Sequence, residues 1–271
     1  MKKALRYLVL SALGAVFLIP FLWMLSTSLT PAAEVMAKHR SWIPTHPQWS
    51  NYPEALTVLP FQIFLKNTLI VTVLAIIGQV ASASLVAFGF ARMRFRFRDA
   101  LFLLVISTMM IPPQVTLIPT FVLFAKLRWI DTLRPLIVPA FFGGGAFFIF
   151  LLRQFFLSLP SELEDAAKID GCGPFGLFRN VALPLSKPAL ATVAVFSFVH
   201  HWNDFMGPLI YTQSLETKTL ALGLNSFRSL HGTEYHLMMA AAVTVLIPVL
   251  VIFFIAQRYF VSGIIMSGIK G

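Results

Sequence analysis

Charged residues leave long gaps along this chain. No Asp, Glu, Lys or Arg occurs between Arg6 and Glu34, Lys66 and Arg92, Asp99 and Lys126, Arg134 and Arg153, or Glu234 and Arg258. A backbone in hydrocarbon must satisfy its own donors and acceptors, so an apolar run of about 20 residues reads as a membrane-spanning helix. Five such helices follow. A sixth run, from Lys187 to Asp204, is shorter and reaches membrane length only when the helix continues through Asp204 to about Tyr211. The pattern therefore predicts an all-α, polytopic chain forming one transmembrane domain over residues 1–271. Its six spans fall near 7–29, 67–91, 100–123, 135–157, 188–211 and 236–257, with a polar loop over 158–187 between the fourth and fifth. Pro20, Pro112, Pro113, Pro119 and Pro248 fall in or near these runs and predict kinks, which neighbouring helices tolerate by re-satisfying the freed carbonyls. The first run has the basic flank of a signal peptide, but Tyr7 to Met24 is longer than a usual signal core and no small-residue cleavage site follows closely, so a retained helix is expected.

Composition agrees. The 271 residues are 58% hydrophobic and 12% charged, whereas a water-soluble domain carries about 25% charged residues. That excludes a soluble single core, a disordered chain and a collagen-like repeat. The net charge of +10 does not point to nucleic acid, because the basic residues sit between apolar blocks, where they orient spans. Thirteen of the 21 basic residues, including Lys2, Lys3, Arg6 and Lys270, share one side with both ends, and eight, including Lys38 and Arg40, lie on the other. The short connection from Arg92 to Arg98 holds four arginines, and the positive-inside rule places both ends in the cytoplasm. The loop from Thr30 to Gln62, with Pro31, Pro44, Pro47, Pro53 and Pro60 among Trp42, Trp49 and Tyr52, then forms an irregular cap on the outer interface. His39, His46, His231 and His236 read as solvated loop residues, and the single cysteine, Cys172, excludes an internal disulfide.

The polar segment between the fourth and fifth spans has the most local structure. Ser161 and Glu164 have capping-box spacing. Glu162, Glu164 and Asp165 suit the positive end of a helix dipole, and Gly171 supplies a left-handed stop. The predicted helix is under three turns and must dock on something to persist. Its face carries Leu163, Ala166, Ala167 and Asp170. Gly173 and Pro174 open a second short helix, with Phe175, Phe178 and Ala182 on one side and Pro184 as its stop. Two short helices joined at a glycine form an elbow tied at both ends to membrane helices.

Asp165, Ala166 and Ala167, then Gly171, then Val181, Leu183 and Pro184 resemble the EAA signature of ABC importer permeases: E-A-A, a glycine after three residues, then I-x-L-P. The text from Leu151 to Phe156, Leu183 to Leu190, Asn67 to Val71, Trp202 to Phe205 and Gln257 to Gly263 is similar to the carbohydrate branch, the maltose permease G-type subunits. The resemblance implies that Glu164, Asp165, Ala166, Ala167, Gly171, Leu183 and Pro184 couple the chain to an ATPase. The family glutamate is Asp165 here, preceded by Glu164, so either carboxylate is open as the contact, and both also serve the helix dipole. The partners implied are a second homologous permease, an ATPase dimer and an extracytoplasmic sugar-binding protein, in the lipid of the cytoplasmic (inner) membrane. No G-x-x-x-x-G-K-[ST] sequence occurs, so ATP and Mg belong to the partner, no cofactor is expected on this chain, and the chain is not expected to be an enzyme. Gly143 to Gly145, flanked by phenylalanines, fits close helix packing or a kink.

Trp202, Asn203 and Asp204 are the candidates for the solute path: an aromatic face stacks on a pyranose, an amide exchanges hydrogen bonds with hydroxyls, and an ionisable group inside a span asks for a polar surrounding. Bonding of Asn203 and Asp204 to other helices is the equal alternative. His200, His201 and Asp204 form a weak metal pattern, and no metal is expected. The rival function is a self-contained secondary transporter of a small polar solute, which ordinarily embeds several charges near the midplane. A membrane enzyme ranks behind it.

Overall fold

In the computed structural model, which describes residues 2–37, 41–229 and 232–268, the chain is helical except for loops and one two-stranded ribbon. Lys38, His39, Arg40, His231 and Lys270 lie outside the described residues. α1 (Lys2–Ser28) runs unbroken through Pro20, and two short helices, α2 (Ala32–Val35) and α3 (Asn51–Thr57), follow in the proline-rich loop. The longest interior helix is α4 (Phe61–Arg92). It is followed by α5 (Arg98–Ser107), α6 (Pro113–Lys126), α7 (Arg134–Ile137) and α8 (Ala146–Ser158). The polar segment forms α9 (Ser161–Ile169), α10 (Pro174–Leu177) and α11 (Leu183–Leu185). Then come α12 (Lys187–Trp202), α13 (Met206–Tyr211), α14 (Leu220–Asn225), the antiparallel strands β1 (Arg228–Ser229) and β2 (Gly232–Thr233), and α15 (Tyr235–Gly268).

Four helical stretches among the described residues are long and apolar enough to cross a membrane: Lys3–Ser28, Phe61–Arg92, Arg134–Ser158 and Tyr235–Ile255. The number rises to six when each of two bent pairs counts as one span. The first bend departs from the expectation of a kinked but continuous helix. Arg98–Met110 and Pro113–Lys126 meet at 98°, because two consecutive prolines remove adjacent amide donors and force the residue before them out of helical conformation. The fifth run does not continue through Asp204. It stops at Trp202, where the Asn203 amide donates to the Val199 carbonyl at 2.9 Å, and Asp204 starts the separate α13 by accepting the Gly207 N–H at 3.0 Å.

α4 is the central column, packed on α8 and α12. It runs parallel to α8: contacts pair Gln79 with Gly144, Phe90 with Arg153 and Arg92 with Phe156, rising together along both helices. The helix pair is tight where α8 begins. Gly144 has φ +66°, and a Cβ there would lie 2.6 Å from the Gln79 carbonyl oxygen, so only glycine fits both the backbone and the approach. Two apolar cores result. One, toward the C-terminal end of α4, joins Phe88, Leu152 and Phe156 to Ala167, Leu177 and Phe178 of the polar segment and to Val193 of α12. The other, toward the N-terminal end of α4, joins Phe61 and Phe64 to Phe198, Trp202, Leu220 and Leu237. α1 differs: its most apolar stretch buries none of its residues against the rest of the chain.

Candidate coupling site

α8 ends at Ser158, and Leu159 and Pro160 carry the chain in extended conformation into α9. The expected capping box is absent. Pro160 holds the N-cap position, Ser161 is the first helical residue, and no side chain caps the helix start. Glu164 is turned elsewhere. Its Oε1 lies 2.7 Å from Arg92 Nη1, with the two side chains 17% and 12% exposed. The same guanidinium donates through Nε to the Phe156 carbonyl at 2.9 Å, and through Nη2 to the Phe156 and Leu159 carbonyls. Arg92 therefore occupies the acceptor-rich C-terminus of α8 while holding the first turn of α9, and it is itself the last residue of α4. Arg153 of α8 reciprocates: its Nε donates to the Phe90 carbonyl of α4 at 3.3 Å, and its guanidinium lies 4.0 Å from the Phe102 ring centre. Two parallel helices thus end side by side with each terminal dipole met by the other's arginine.

α9 ends as its glycine predicts. Gly171 has φ +80°, its N–H donates to the Lys168 carbonyl at 3.0 Å, and the Cys172 N–H donates to the Ala167 carbonyl at 2.9 Å. This is the paired bonding of a Schellman stop. Ala167 is buried against the first core, while Ala166 is exposed. The second limb differs from expectation. Phe178 and Ala182 are buried but Phe175 is 66% exposed, and Pro184 does not stop the helix. A five-residue π-turn over Phe178–Ala182 precedes it, and such a turn accommodates the missing amide and the ring of a proline inside a helical run. Leu183 packs against the first core. The direction changes by 78° between Pro174–Leu185 and Lys187–Trp202, at Ser186, whose hydroxyl donates to the Ala182 carbonyl at 2.7 Å.

The outward side of the elbow carries Asp165, 69% exposed and paired with Lys168 at 3.1 Å, together with Ile169 and Phe175, 87% and 66% exposed. Adjacent carboxylates therefore have opposite environments, Glu164 inward on Arg92 and Asp165 outward.

The solute-path candidates separate. Trp202 is 2% exposed and donates its indole N–H to the Val245 carbonyl at 3.2 Å, which leaves no ring face for a pyranose, so the expectation fails for this residue. Asn203 and Asp204 serve the helix ends described above, and Asn203 is exposed. A polar contact missed in the sequence joins α4 to α12 through Gln79. Gln79 Oε1 accepts the Ser197 hydroxyl at 2.7 Å and lies 3.3 Å from His201 Nε2, while its Nε2 donates to the Gly144 carbonyl at 2.9 Å. A lone glutamine within a span was the available signal.

At the N-terminal end of α4, side chains fasten loops. The Asn51 amide donates to the Ser28 and Thr30 carbonyls at 2.9 and 3.1 Å. The Asn67 amide donates to the Glu216 and Lys218 carbonyls at 2.7 and 2.9 Å. Asp131 Oδ1 accepts the Gln213 and Ser214 backbone N–H groups and the Ser214 and Thr217 hydroxyls. The Thr217 hydroxyl above all, then the Ser214 and Gln213 amides, hold the Asp131 carboxyl well below the usual carboxylate range.

The described residues thus form a multi-span helical membrane protein with a folded polar elbow at one end. The chain belongs to the family described as binding-protein-dependent transport system inner membrane component, whose model matches residues 79–266. It is 36% identical over 255 residues to a putative ABC transporter permease protein of Caldicellulosiruptor, covering 93% of this chain and 92% of that one. It is 33% identical to the arabinooligosaccharides transport system permease protein AraQ of Bacillus subtilis, covering 96% and 92%. It is 32% identical to the diacetylchitobiose uptake system permease protein DasC of Streptomyces coelicolor, covering 96% and 93%. A chain of a bacterial ABC transporter that imports the acidic polysaccharide alginate has the same fold, with TM-score 0.84, 24% identity and coverage of 95% and 96%.

Proposed function

We propose that this chain is the permease subunit of a binding-protein-dependent ABC importer that moves a sugar or sugar-derived solute across the cytoplasmic membrane. It works with a second permease, an ATPase pair that holds ATP and Mg, and an extracytoplasmic binding protein. In this reading the chain crosses the membrane six times near 7–29, 67–91, 100–123, 135–157, 188–211 and 236–257, with both ends and the 158–187 segment in the cytoplasm. The bent pair Arg98–Met110 and Pro113–Lys126 serves as one span, and α12 with α13 as another, while Pro174–Leu185 stays with the cytoplasmic segment.

The observation that carries it is the α9–α10 elbow, built into the same core as α4, α8 and α12 yet exposing Ile169, Phe175 and Asp165. A projecting elbow with exposed apolar side chains beside a carboxylate suits a hydrophobic cleft with a basic rim on an ATPase. Asp165 is assigned the ionic contact, because Glu164 is already engaged by Arg92. Ala166 lets the partner approach the helix backbone, while Ala167, Gly171, Leu183 and Pro184 shape and seat the elbow. Asn203 and Asp204 remain the solute-path candidates. The exposed α1 faces lipid and the second permease. Closure of the ATPase pair on ATP drags the elbow and switches the helices between two packings, and ATP and the loaded binding protein must each favour the outward-facing packing to do so.

The relatives named for arabinooligosaccharides and diacetylchitobiose support an oligosaccharide. Purification of the tagged chain from its native membrane tests the reading. An ATPase with a phosphate-binding loop and a second permease copurify; a chain that transports in liposomes without either overturns it.

A further inference from the structure

Between the elbow and the membrane helices there are covalent connections at both ends of the polar segment, but neither leads to α4. Beside the apolar packing of Phe178 on Phe88, the ionic route to α4, the column on which α8 and α12 pack, is the guanidinium of Arg92. We propose that Arg92 and Glu164 form a transmission pin, a positioning pair that passes displacement of α9 to α4 and is distinct from the surface that docks the ATPase. The proposal rests on the coupling role assigned above.

Four features favour a pin over an incidental surface pair. Both side chains are largely shielded, at 12% and 17% exposure, so the attraction is little screened by salt. The pair sits at the level where three elements end or begin, with α4 finishing at Arg92, α8 at Ser158 and α9 starting at Ser161. The guanidinium is fixed on the other side by the Phe156 and Leu159 carbonyls, and a planar fork held on three acceptors cannot swing to follow α9 while leaving α4 in place. The neighbouring Asp165–Lys168 pair, within one helix and 69% and 60% exposed, has none of these properties.

The mechanical consequence concerns ATP hydrolysis without solute. When the pin is intact, closing the ATPase pair must move α4 with the elbow, and that load restrains closure. Removing the Glu164 carboxylate lets α9 move with less of the bundle, so the ATPase closes and turns over more readily while transport per ATP falls. Couplings of this kind change equilibria roughly two- to thirtyfold.

The experiment uses the complete transporter, purified through this chain and placed in lipid nanodiscs with MgATP and with neither binding protein nor solute. Glu164→Ala is expected to copurify the ATPase at the native ratio and to hydrolyse ATP severalfold faster per assembled complex. Glu164→Gln, which keeps an oxygen for Arg92 Nη1, is expected to stay nearer the native rate. Asp165→Lys is expected to lose the ATPase. A purely structural role for Glu164 would lower assembly and hydrolysis together and would overturn the pin, as would an unchanged rate in Glu164→Ala with assembly intact. If Asp165→Lys retains the ATPase, the docking surface assigned above fails instead, whatever the Glu164 variants do.

Discussion

The two ends of α4 are secured by different chemistry. At its N-terminal end Asn51, Asn67 and Asp131 each bind two or more groups of loop chain and turn irregular segments into a fixed plate. Several independent fasteners share that work, so losing one leaves the others. At the C-terminal end one guanidinium joins α4, α8 and α9, with Arg153 supporting the first two. Redundant hydrogen bonding suits a surface that must keep its shape when another protein lands on it. A single ionic junction suits a place where force enters and helices must shift as bodies.

That contrast predicts the largest single loss at the C-terminal end. Arg92→Ala abandons Glu164 and the Phe156 and Leu159 carbonyls together. Breaking a well-buried ion pair costs about 3–5 kcal/mol, and because these side chains keep some solvent contact, a loss of about 3 kcal/mol is expected. Thermal unfolding in detergent should show it, together with easier proteolysis between α8 and α10. A stability equal to the native chain's would remove the asymmetry between the two ends.

Next in size is Asp131→Ala at the opposite end, which frees two backbone amides and two hydroxyls for water. Unsatisfied buried groups cost about 1–3 kcal/mol each, but the site borders solvent, so roughly 1.5 kcal/mol in total is expected. The acid response tests the same bond set. The native carboxyl is held well below its ordinary value, so its contribution is fully present above the unfolded pKa of about 3.9 and fades as pH falls toward the lowered native one. Asp131→Asn should lack that acid-side dependence, and a variant that follows the native acid profile would show the carboxylate is not the fastener.

Gly171→Val follows. No atom lies within 4 Å of a Cβ placed there, so crowding is no obstacle. The cost comes from φ +80°, which a side chain adopts at roughly 1–2 kcal/mol, more for a branched one. The expected outcome is a protein that inserts and keeps its helices but frays the stop of α9, with solute-stimulated ATP hydrolysis lowered. Native stimulation in that variant would separate the turn from coupling.

Much of this was legible in the sequence because lipid imposes a simple rule on composition. The uncharged runs became helical, though the third is bent at its paired prolines and the fourth is interrupted at Gly143 to Gly145, and the Ser161 to Lys187 text became the elbow, its stop placed correctly at Gly171. What the sequence misplaced depends on contacts distant along the chain. Ser161 and Glu164 satisfy a local capping pattern, but Arg92, 72 positions earlier than Glu164, outbids the helix's own amides for the carboxylate. Arg92 was read as one more orienting charge beside Arg94, Arg96 and Arg98, and nothing local separates it from them. Its role exists only because α4 and α8 finish at the same level. Trp202 was misread for a similar reason: its partner carbonyl belongs to Val245, on a helix that the sequence does not place beside it.

The smallest expected effect sharpens the comparison most, because it concerns the charge pair next to the pin. Lys168 and Asp165 sit three residues apart on α9 with 60% and 69% of their side chains in solvent. Exposed pairs of this kind contribute about 0–1 kcal/mol, since water screens the attraction and the side chains lose freedom to meet. Lys168→Ala should therefore leave thermal stability within about 0.5 kcal/mol of the native chain, and basal ATP hydrolysis of the assembled transporter should not rise. Removing Lys168 also leaves Asp165 unshared, so ATPase copurification should hold or strengthen, most visibly at low salt. A loss of stability comparable to that of Arg92→Ala would mean that α9 is held by its own surface charges, and the division between an inward carboxylate that transmits and an outward one that docks would no longer stand.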